Sequence, residues 1–199
     1  DAFQPNRLLE VAPEFLENVI VELRRSGTEL VSLDEMHRRL TTADFGRRFV
    51  CLTFDDGYRD NLTFAYPILK KHAVPFAVYV PTSFPDRLGD LWWVTLEAAI
   101  AAAERIDLAI AGKSCSFRCA TVAEKRETYR ALYWILRSLD SEEDLRAIVR
   151  DLAARHGVDP SAFCERLCMS WDELAQLAAD PLVTIGAHTV NHLMLRKQP

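Results

Sequence analysis

The sequence has no long uninterrupted hydrophobic run and no excess of positive charge. Its apolar stretches, such as residues 96–103, contain or meet acidic side chains and fall short of the roughly 20 residues that a membrane-spanning helix requires. Lys and Arg number 24 against 29 Asp and Glu, which gives a net charge of -5 without a basic stripe. We therefore expect no membrane span and no nucleic-acid partner, because phosphate binding depends on clustered Lys and Arg.

Internal repeats, low-complexity segments and a cationic and apolar leader are also missing. The chain opens at Asp1 without an initiator Met, so we expect a trimmed start. Five cysteines is an odd number, and Cys51 in an apolar run is typical of a buried free thiol, which favours a reducing, cytoplasmic location. The length of 199 residues, with 49% hydrophobic and 27% charged, predicts one folded domain over 1–199.

Alternating strand and helix patterns predict an α/β fold. Apolar residues recur at helical spacing over 15–23, and the β-branched run at 49–54 predicts a strand buried on both faces. A helix is predicted over about 61–72, and buried strands are predicted over 76–80 and 182–187. This order of strand, helix and strand is typical of a parallel sheet.

Reactive side chains follow two of these strands. Asp55 and Asp56 end the first, while His188 and His192 follow the last, and ligands of parallel sheets bind at such carboxyl ends. Adjacent carboxylates there repel each other and lose solvation, and a bound cation relieves both costs. The four-residue spacing predicts that both imidazoles share one face of a helical turn, where they suit zinc and similar metals. One carboxylate and two histidines leave open positions for water.

Each pattern has a simpler interpretation when taken alone. Asp-Asp-Gly after a strand is often only a tight turn, and His-x-x-x-His pairs occur by chance on helical surfaces. Both patterns at strand ends in one chain favour a metal site. A four-thiolate zinc site is a weaker alternative, since its spacing is looser than Cys-x-x-Cys and buried thiols explain its residues equally well: Cys115, Cys119, Cys164 and Cys168.

Residues 86–170 have mainly helical patterns. Thr121 and Ser170 each precede a Glu three positions later, which is the spacing of a capping box, and a short hairpin is predicted around 111–113. We interpret this stretch as a helical insertion packed on the core.

The two reactive segments resemble the motifs of a known family. Residues 53–58 (Thr-Phe-Asp-Asp-Gly-Tyr) match the first motif of the polysaccharide deacetylases, the NodB-homology family of carbohydrate esterases (carbohydrate esterase family 4). Residues 188–192 match their second motif, His-Ser/Thr-x-x-His. The similarity covers roughly 10–85 and 168–199. The flanking sequence is also similar, at Asn61, 66–69 and 76–80.

The resemblance implies a fold and an activity. The fold is a distorted (β/α) barrel, incomplete here, and the activity is metal-dependent removal of N- or O-linked acetyl groups from an acetylated carbohydrate. Asp56, His188 and His192 would hold a divalent metal, with zinc expected ahead of iron, cobalt, nickel or manganese. Asp55 would be the general base for a metal-bound water that attacks the acetyl carbonyl, while the metal steadies the developing oxyanion.

Two further family motifs are not among these residues. They are an Arg-x-Pro-Tyr segment with oxyanion and substrate contacts and a Leu-x-His with the general acid, which we expect beyond Pro199, as we expect the family's opening strand before Asp1. Thr189 would supply a supporting hydrogen bond or be a simple turn residue. Three tryptophans are candidates for stacking on sugar rings, although aromatic residues at helix starts more often close the core: Trp92, Trp93 and Trp171.

Two other functions remain open from the sequence. One is a non-catalytic carbohydrate- or metal-binding module that retains the first two motifs. The other is a related hydrolase that acts on a cyclic amide or another non-sugar C–N bond, with a pocket shaped by the helical insertion.

Overall fold

A computed structural model describes residues 3–110 and 112–198. The α-helices are α1 (Pro13–Arg25), α2 (Leu33–Thr42), α3 (Tyr66–Lys71), α4 (Trp92–Ala102), α5 (Val122–Ser138), α6 (Glu142–Arg155), α7 (Ser161–Leu167) and α8 (Trp171–Ala178). The strands are β1 (Glu29–Leu30), β2 (Phe49–Val50), β3 (Leu52–Asp55), β4 (Phe76–Val80), β5 (Arg105–Ile110), β6 (Lys113–Arg118) and β7 (Val183–Ala187). Short 3-10 helices span Pro5–Leu9 and Leu195–Lys197.

The chain divides into two compact units. We call one the helical unit; it consists of Asp1–Glu10, Asp90–Phe163 and Leu193–Pro199. The other, which we call the sheet unit, consists of Val11–Gly89 and Cys164–His192 and contains both predicted reactive segments.

Parallel strands form the centre of the sheet unit. Strand β4 lies between β3 and β7, and the register aligns Asp55 with Tyr79 and Tyr79 with Gly186. The short strands β1 and β2 also pair in parallel. The fold is therefore mixed α/β, as predicted, although the strands of the described residues form separate sheets and no closed barrel. The core beneath this sheet is built around fully buried apolar side chains, including Ile20, Leu69, Val74, Phe76, Val78, Met169 and Leu177.

The strand predicted over 49–54 differs from its prediction. It is divided at Cys51 into β2 and β3, and β3 alternates between half-buried and exposed residues rather than being buried on both faces. Leu52 and Phe54 pack against the core, while Thr53 and Asp55 are exposed. The reason is that β3, among the strands that the structure describes, pairs only with β4, whereas the central strand β4 is buried along most of its length.

The helix predicted over 61–72 begins with a π-helical turn at Asn61–Ala65 before α3. The Tyr66 amide donates to the Asn61 carbonyl, five residues earlier. Pro67, in the first turn of α3, lacks an amide hydrogen and would crowd the carbonyl four residues before it, so a wider turn fits this sequence. The helix predicted from the apolar spacing over 15–23 and the strands predicted at 76–80 and 182–187 are confirmed with small differences at their ends.

The helical unit packs α4 with α5 and α6 beside an antiparallel hairpin of β5 and β6. The predicted hairpin is thus confirmed, although Ala111 in its turn lies outside the described residues. A buried ion pair joins Arg146 to Glu142 at 3.0 Å within α6. The capping boxes predicted at Thr121 and Ser170 are both present. Nowhere in the described ranges is a helix both long and apolar enough to cross a membrane.

The close approach of β4 and β7 predicts the effect of one substitution. A Cβ atom at Gly186 would lie 2.6 Å from the ring of Tyr79, so Gly186→Ala must displace that ring. We expect the substitution to lower the free energy of unfolding by about 1–3 kcal/mol in urea denaturation, as overpacking does. Gly46→Ala is the matched control, because its Cβ atom would meet only Asp44 Oδ1, at 3.9 Å. Equal stability of the two variants would contradict this packing.

Candidate metal centre

The first reactive segment leaves β3 through two left-handed residues. Asp56 has φ 68° and Gly57 has φ 62°, which turns the chain sharply after Asp55. Aspartate tolerates this conformation better than most residues with a side chain. At Gly57 a side chain would also be crowded, because a Cβ atom would lie 3.1 Å from Val80 Cγ2. The Asp-Asp-Gly sequence therefore suits both the turn and the close packing of β3 on β4.

The second reactive segment continues from β7. The His188 amide donates to the Val80 carbonyl at 2.9 Å, which extends the pairing of β7 with β4 by one residue. Beyond it the predicted helical turn is wrong, because Thr189 and His192 have φ of 63° and 50°, which a right-handed helix does not allow. Thr189 Oγ1 instead accepts a 3.0 Å hydrogen bond from the His192 amide, so Thr189 is the turn-stabilising residue.

Both histidines approach the same carboxylate. Asp56 Oδ1 lies 3.8 Å from His188 Nε2 and 3.2 Å from His192 Nε2. One potential ligand atom from each of the three residues lies within 4.8 Å of the others, and the imidazole ring centroids are 5.2 Å apart. Carboxylate oxygen and imidazole nitrogen are the donors that zinc and related divalent metals bind.

No other group of three or more such ligands occurs in the part of the chain that the structure describes. The alternative of a four-thiolate zinc site therefore has no support among those residues. The Cys164 thiol instead donates a hydrogen bond to the Phe84 carbonyl at 3.2 Å, and the neighbouring Cys168 thiol lowers the pKa of Cys164.

Asp56 has a buried oxygen atom without a hydrogen-bond partner. Within the described residues Oδ1 accepts no hydrogen bond, although two imidazole nitrogens lie close to it, and it has almost no contact with solvent. Burial is the main cause that raises the pKa of this carboxyl above its ordinary value, and the charge of Asp55 adds to it. His192 and His188 oppose the increase. Buried polar atoms in proteins are nearly always satisfied, so this oxygen favours an additional positively charged partner.

Asp55 differs from Asp56 in its surroundings. It is the last residue of β3 and is exposed, whereas the side chain of Asp56 is 19% exposed. The two adjacent carboxylates therefore have separate environments, one open to solvent and one enclosed with the histidines. An exposed carboxylate can exchange protons with water, and an enclosed one is better suited to a fixed contact.

Sequence reasoning missed the side chains that hold these segments in place. Arg59 Nε donates to Glu173 Oε1 at 2.8 Å and its Nη2 donates to the Cys168 carbonyl at 2.8 Å, which joins the first segment to the start of α8. The ring of Phe84, which is fully buried, lies 6.2 Å from the ring of His192. Glu173 showed only a capping-box spacing in the sequence, and nothing there predicted its pairing with Arg59 over more than a hundred residues.

Most of the chain, including both reactive segments, matches a known protein family. A family model described as polysaccharide deacetylase matches residues 42–199, which include both reactive segments. The chain belongs to the polysaccharide deacetylase family. The match begins later than the residue-level resemblance, which starts near residue 10, and it runs through the helical stretch at 86–170. A search of the curated proteins finds no match.

One solved structure is similar in part. It is a Streptococcus pyogenes deacetylase, PplD, in complex with acetate, and its identity to this chain is 25%. The similarity covers 43% of this chain and 40% of that one, so the chain matches less than half of that deacetylase. The TM-score of 0.36 is too low to support a structural conclusion.

The raised pKa of Asp56 predicts the stability of the metal-free protein. Because the folded-state pKa lies above the ordinary value, the charged carboxylate destabilises the fold at neutral pH. Asparagine adopts the same positive φ as aspartate, so Asp56→Asn should remove the charge without straining the turn and raise the melting temperature at neutral pH. The gain should shrink as pH falls and vanish below about 3.9, the ordinary aspartate value, where both states are protonated.

The matched control is Asp140→Asn at an exposed aspartate, which should change the melting temperature little at any pH. Differential scanning calorimetry of chelator-treated protein measures both variants. A lower melting temperature for Asp56→Asn than for the wild type at neutral pH would show that the buried carboxylate is not a cost to the fold.

Proposed function

We propose that this protein is a metal-dependent hydrolase that removes N- or O-linked acetyl groups from a carbohydrate. The observation that carries the proposal is the buried Oδ1 of Asp56, which accepts no hydrogen bond within the described residues and lies beside the imidazoles of His188 and His192. The family membership supports hydrolytic deacetylation as the activity. An acetylated carbohydrate is the substrate class that this family implies.

Asp56, His188 and His192 would hold the divalent cation, with zinc as the expected metal. The donor set fits, since it offers one carboxylate and two imidazoles within 4.8 Å and so leaves positions for water and substrate. When bound, such a cation supplies Lewis-acid polarisation of the acetyl carbonyl and acidifies water.

Asp55 would be the general base. Its carboxylate is adjacent in sequence to Asp56 but exposed, so it can take the proton of the attacking water and return it to solvent or to the leaving group. Its place at the end of β3, in register with Tyr79, puts it at the same strand end as the three proposed ligands. The turn through Asp56 and Gly57 thus gives the two carboxylates different surroundings, in which Asp55 would accept a proton and Asp56 would bind the metal.

We further propose that the parallel strands belong to a distorted (β/α) barrel and that residues 86–170 are an insertion in it. The parallel pairings of β1 with β2 and of β3 with β4 and β7 support this architecture.

The proposal predicts different losses for the two carboxylates. Asp56→Ala, His188→Ala and His192→Ala should each abolish stoichiometric zinc, because two remaining ligands hold the ion too weakly. Asp55→Asn should keep the zinc and lower the rate of acetate release by about 100-fold to 10000-fold, the usual contribution of a general base. Inductively coupled plasma mass spectrometry and an acetate assay on acetylated oligosaccharides measure the two effects.

His156→Ala is the control, since that residue lies at the end of α6 and outside the proposed centre. It should retain both metal and activity. Full zinc occupancy in both histidine variants would refute the ligand assignment. Stoichiometric zinc without any acetate release would favour the alternative of a non-catalytic binding module.

A further inference from the structure

A half-exposed tryptophan begins α8 in the sheet unit. Trp171 is 50% exposed, and its indole Nε1 donates a 2.7 Å hydrogen bond to Asp86 Oδ1. The polar edge of the indole is therefore satisfied by the protein, and the hydrogen bond restricts how the ring can turn. What remains exposed is the apolar aromatic surface.

The backbone of Trp171 is anchored to the first reactive segment. The Met169 amide donates to the Gly57 carbonyl at 3.0 Å, directly after Asp56. Because a residue extends the chain by at most about 3.6 Å, the Cα of Trp171 lies within about 7 Å of the Cα of Met169. The Arg59 to Glu173 ion pair fixes the same helix start to the residues that follow Gly57.

Asp86 is anchored in turn to the second reactive segment. It lies in the loop after β4, where the Ser83 amide donates to the Val190 carbonyl at 3.0 Å. The neighbouring Phe84 packs against the ring of His192. The hydrogen bond between Trp171 and Asp86 thus joins an element attached to the Asp56 segment to a loop attached to the His192 segment.

We propose that Trp171 forms a sugar-binding subsite, in which its indole stacks on a pyranose ring next to the sugar that is deacetylated. The inference rests on the proposed function and names a residue that would contact the substrate beyond the reacting sugar. The C–H face of a pyranose is apolar and weakly positive, which complements the negative face of an aromatic ring. A half-exposed aromatic ring whose polar edge is held by a carboxylate is therefore suited to a sugar and its hydroxyl groups.

Trp134 provides a matched control. It is more exposed, at 63%, and lies in α5 of the helical unit, where it contacts Tyr133 and the guanidinium of Arg137. Both of these contacts lie within α5 itself. If exposure alone decided sugar binding, Trp134 would stack on a sugar better than Trp171. A comparison of the two tryptophans therefore tests whether the position of Trp171, rather than its exposure, is what matters.

The test is a titration followed by indole ¹H–¹⁵N resonances in the zinc-loaded Asp55→Asn protein, which blocks turnover. The probes are the β-1,4-linked hexamer of N-acetylglucosamine and the N-acetylglucosamine monosaccharide. We expect the hexamer to shift the Trp171 signal and to leave the Trp134 signal unchanged. Adding Trp171→Ala should weaken hexamer binding roughly tenfold and reduce the gain in affinity from monosaccharide to hexamer. Adding Trp134→Ala should not.

A second variant, Asp86→Ala, keeps the indole but removes its hydrogen bond, and it should weaken hexamer binding less than Trp171→Ala. Unchanged hexamer affinity in both variants, with lower melting temperatures, would show a purely structural role and overturn the inference. If the hexamer does not shift the Trp171 signal of the Asp55→Asn protein, the inference is overturned as well. This holds even if the wild type deacetylates the hexamer, in which case the proposed function stands without the subsite. A shifted Trp171 signal without acetate release by the wild type would support the subsite while the proposed function fails.

Discussion

The main physical constraint on the proposed metal centre is the enclosed carboxylate of Asp56, because burying its charge costs free energy. One of its oxygen atoms is almost inaccessible to solvent and accepts no hydrogen bond within the described residues, yet it lies within 3.8 Å of both imidazole nitrogens. Burial raises the pKa of this carboxyl more than the two imidazoles lower it, so enclosing its charge has a free-energy cost. Such a penalty is typical of sites whose ligands are positioned before the ion arrives, because a bound cation turns it into a favourable interaction.

The surrounding fold positions this carboxylate and the histidines at one end of a parallel sheet. Strand β4 pairs with both β3 and β7, so the residues that follow these two strands emerge on either side of Val80. Left-handed residues then turn each chain at Asp56 and at Thr189. The strands bring the two reactive segments to the same end of the sheet, and the turns bring the Asp56 and histidine side chains together. A strand continued beyond Asp55 would carry the next side chain away from the histidines.

The meeting of the Asp56 and His188 segments could be predicted from the sequence, because apolar runs ending in reactive residues indicate neighbouring strand ends of a parallel sheet. The local form of the second segment could not, since a four-residue spacing fits a helical turn as well as the loop stabilised by Thr189. The burial of β3 was overestimated, because a run of apolar residues does not reveal whether a strand has neighbours on both sides. Long-range pairings such as Arg59 with Glu173 leave no local signal.

Zinc bound by these three side chains is the central claim, and anomalous diffraction from crystals grown with zinc tests it most directly. We expect one strong peak at about 2.0–2.2 Å from Asp56 Oδ1 and from a ring nitrogen of each histidine, with Asp55 outside the coordination sphere. A peak elsewhere in the protein, with Asp56, His188 and His192 left uncoordinated, would contradict it.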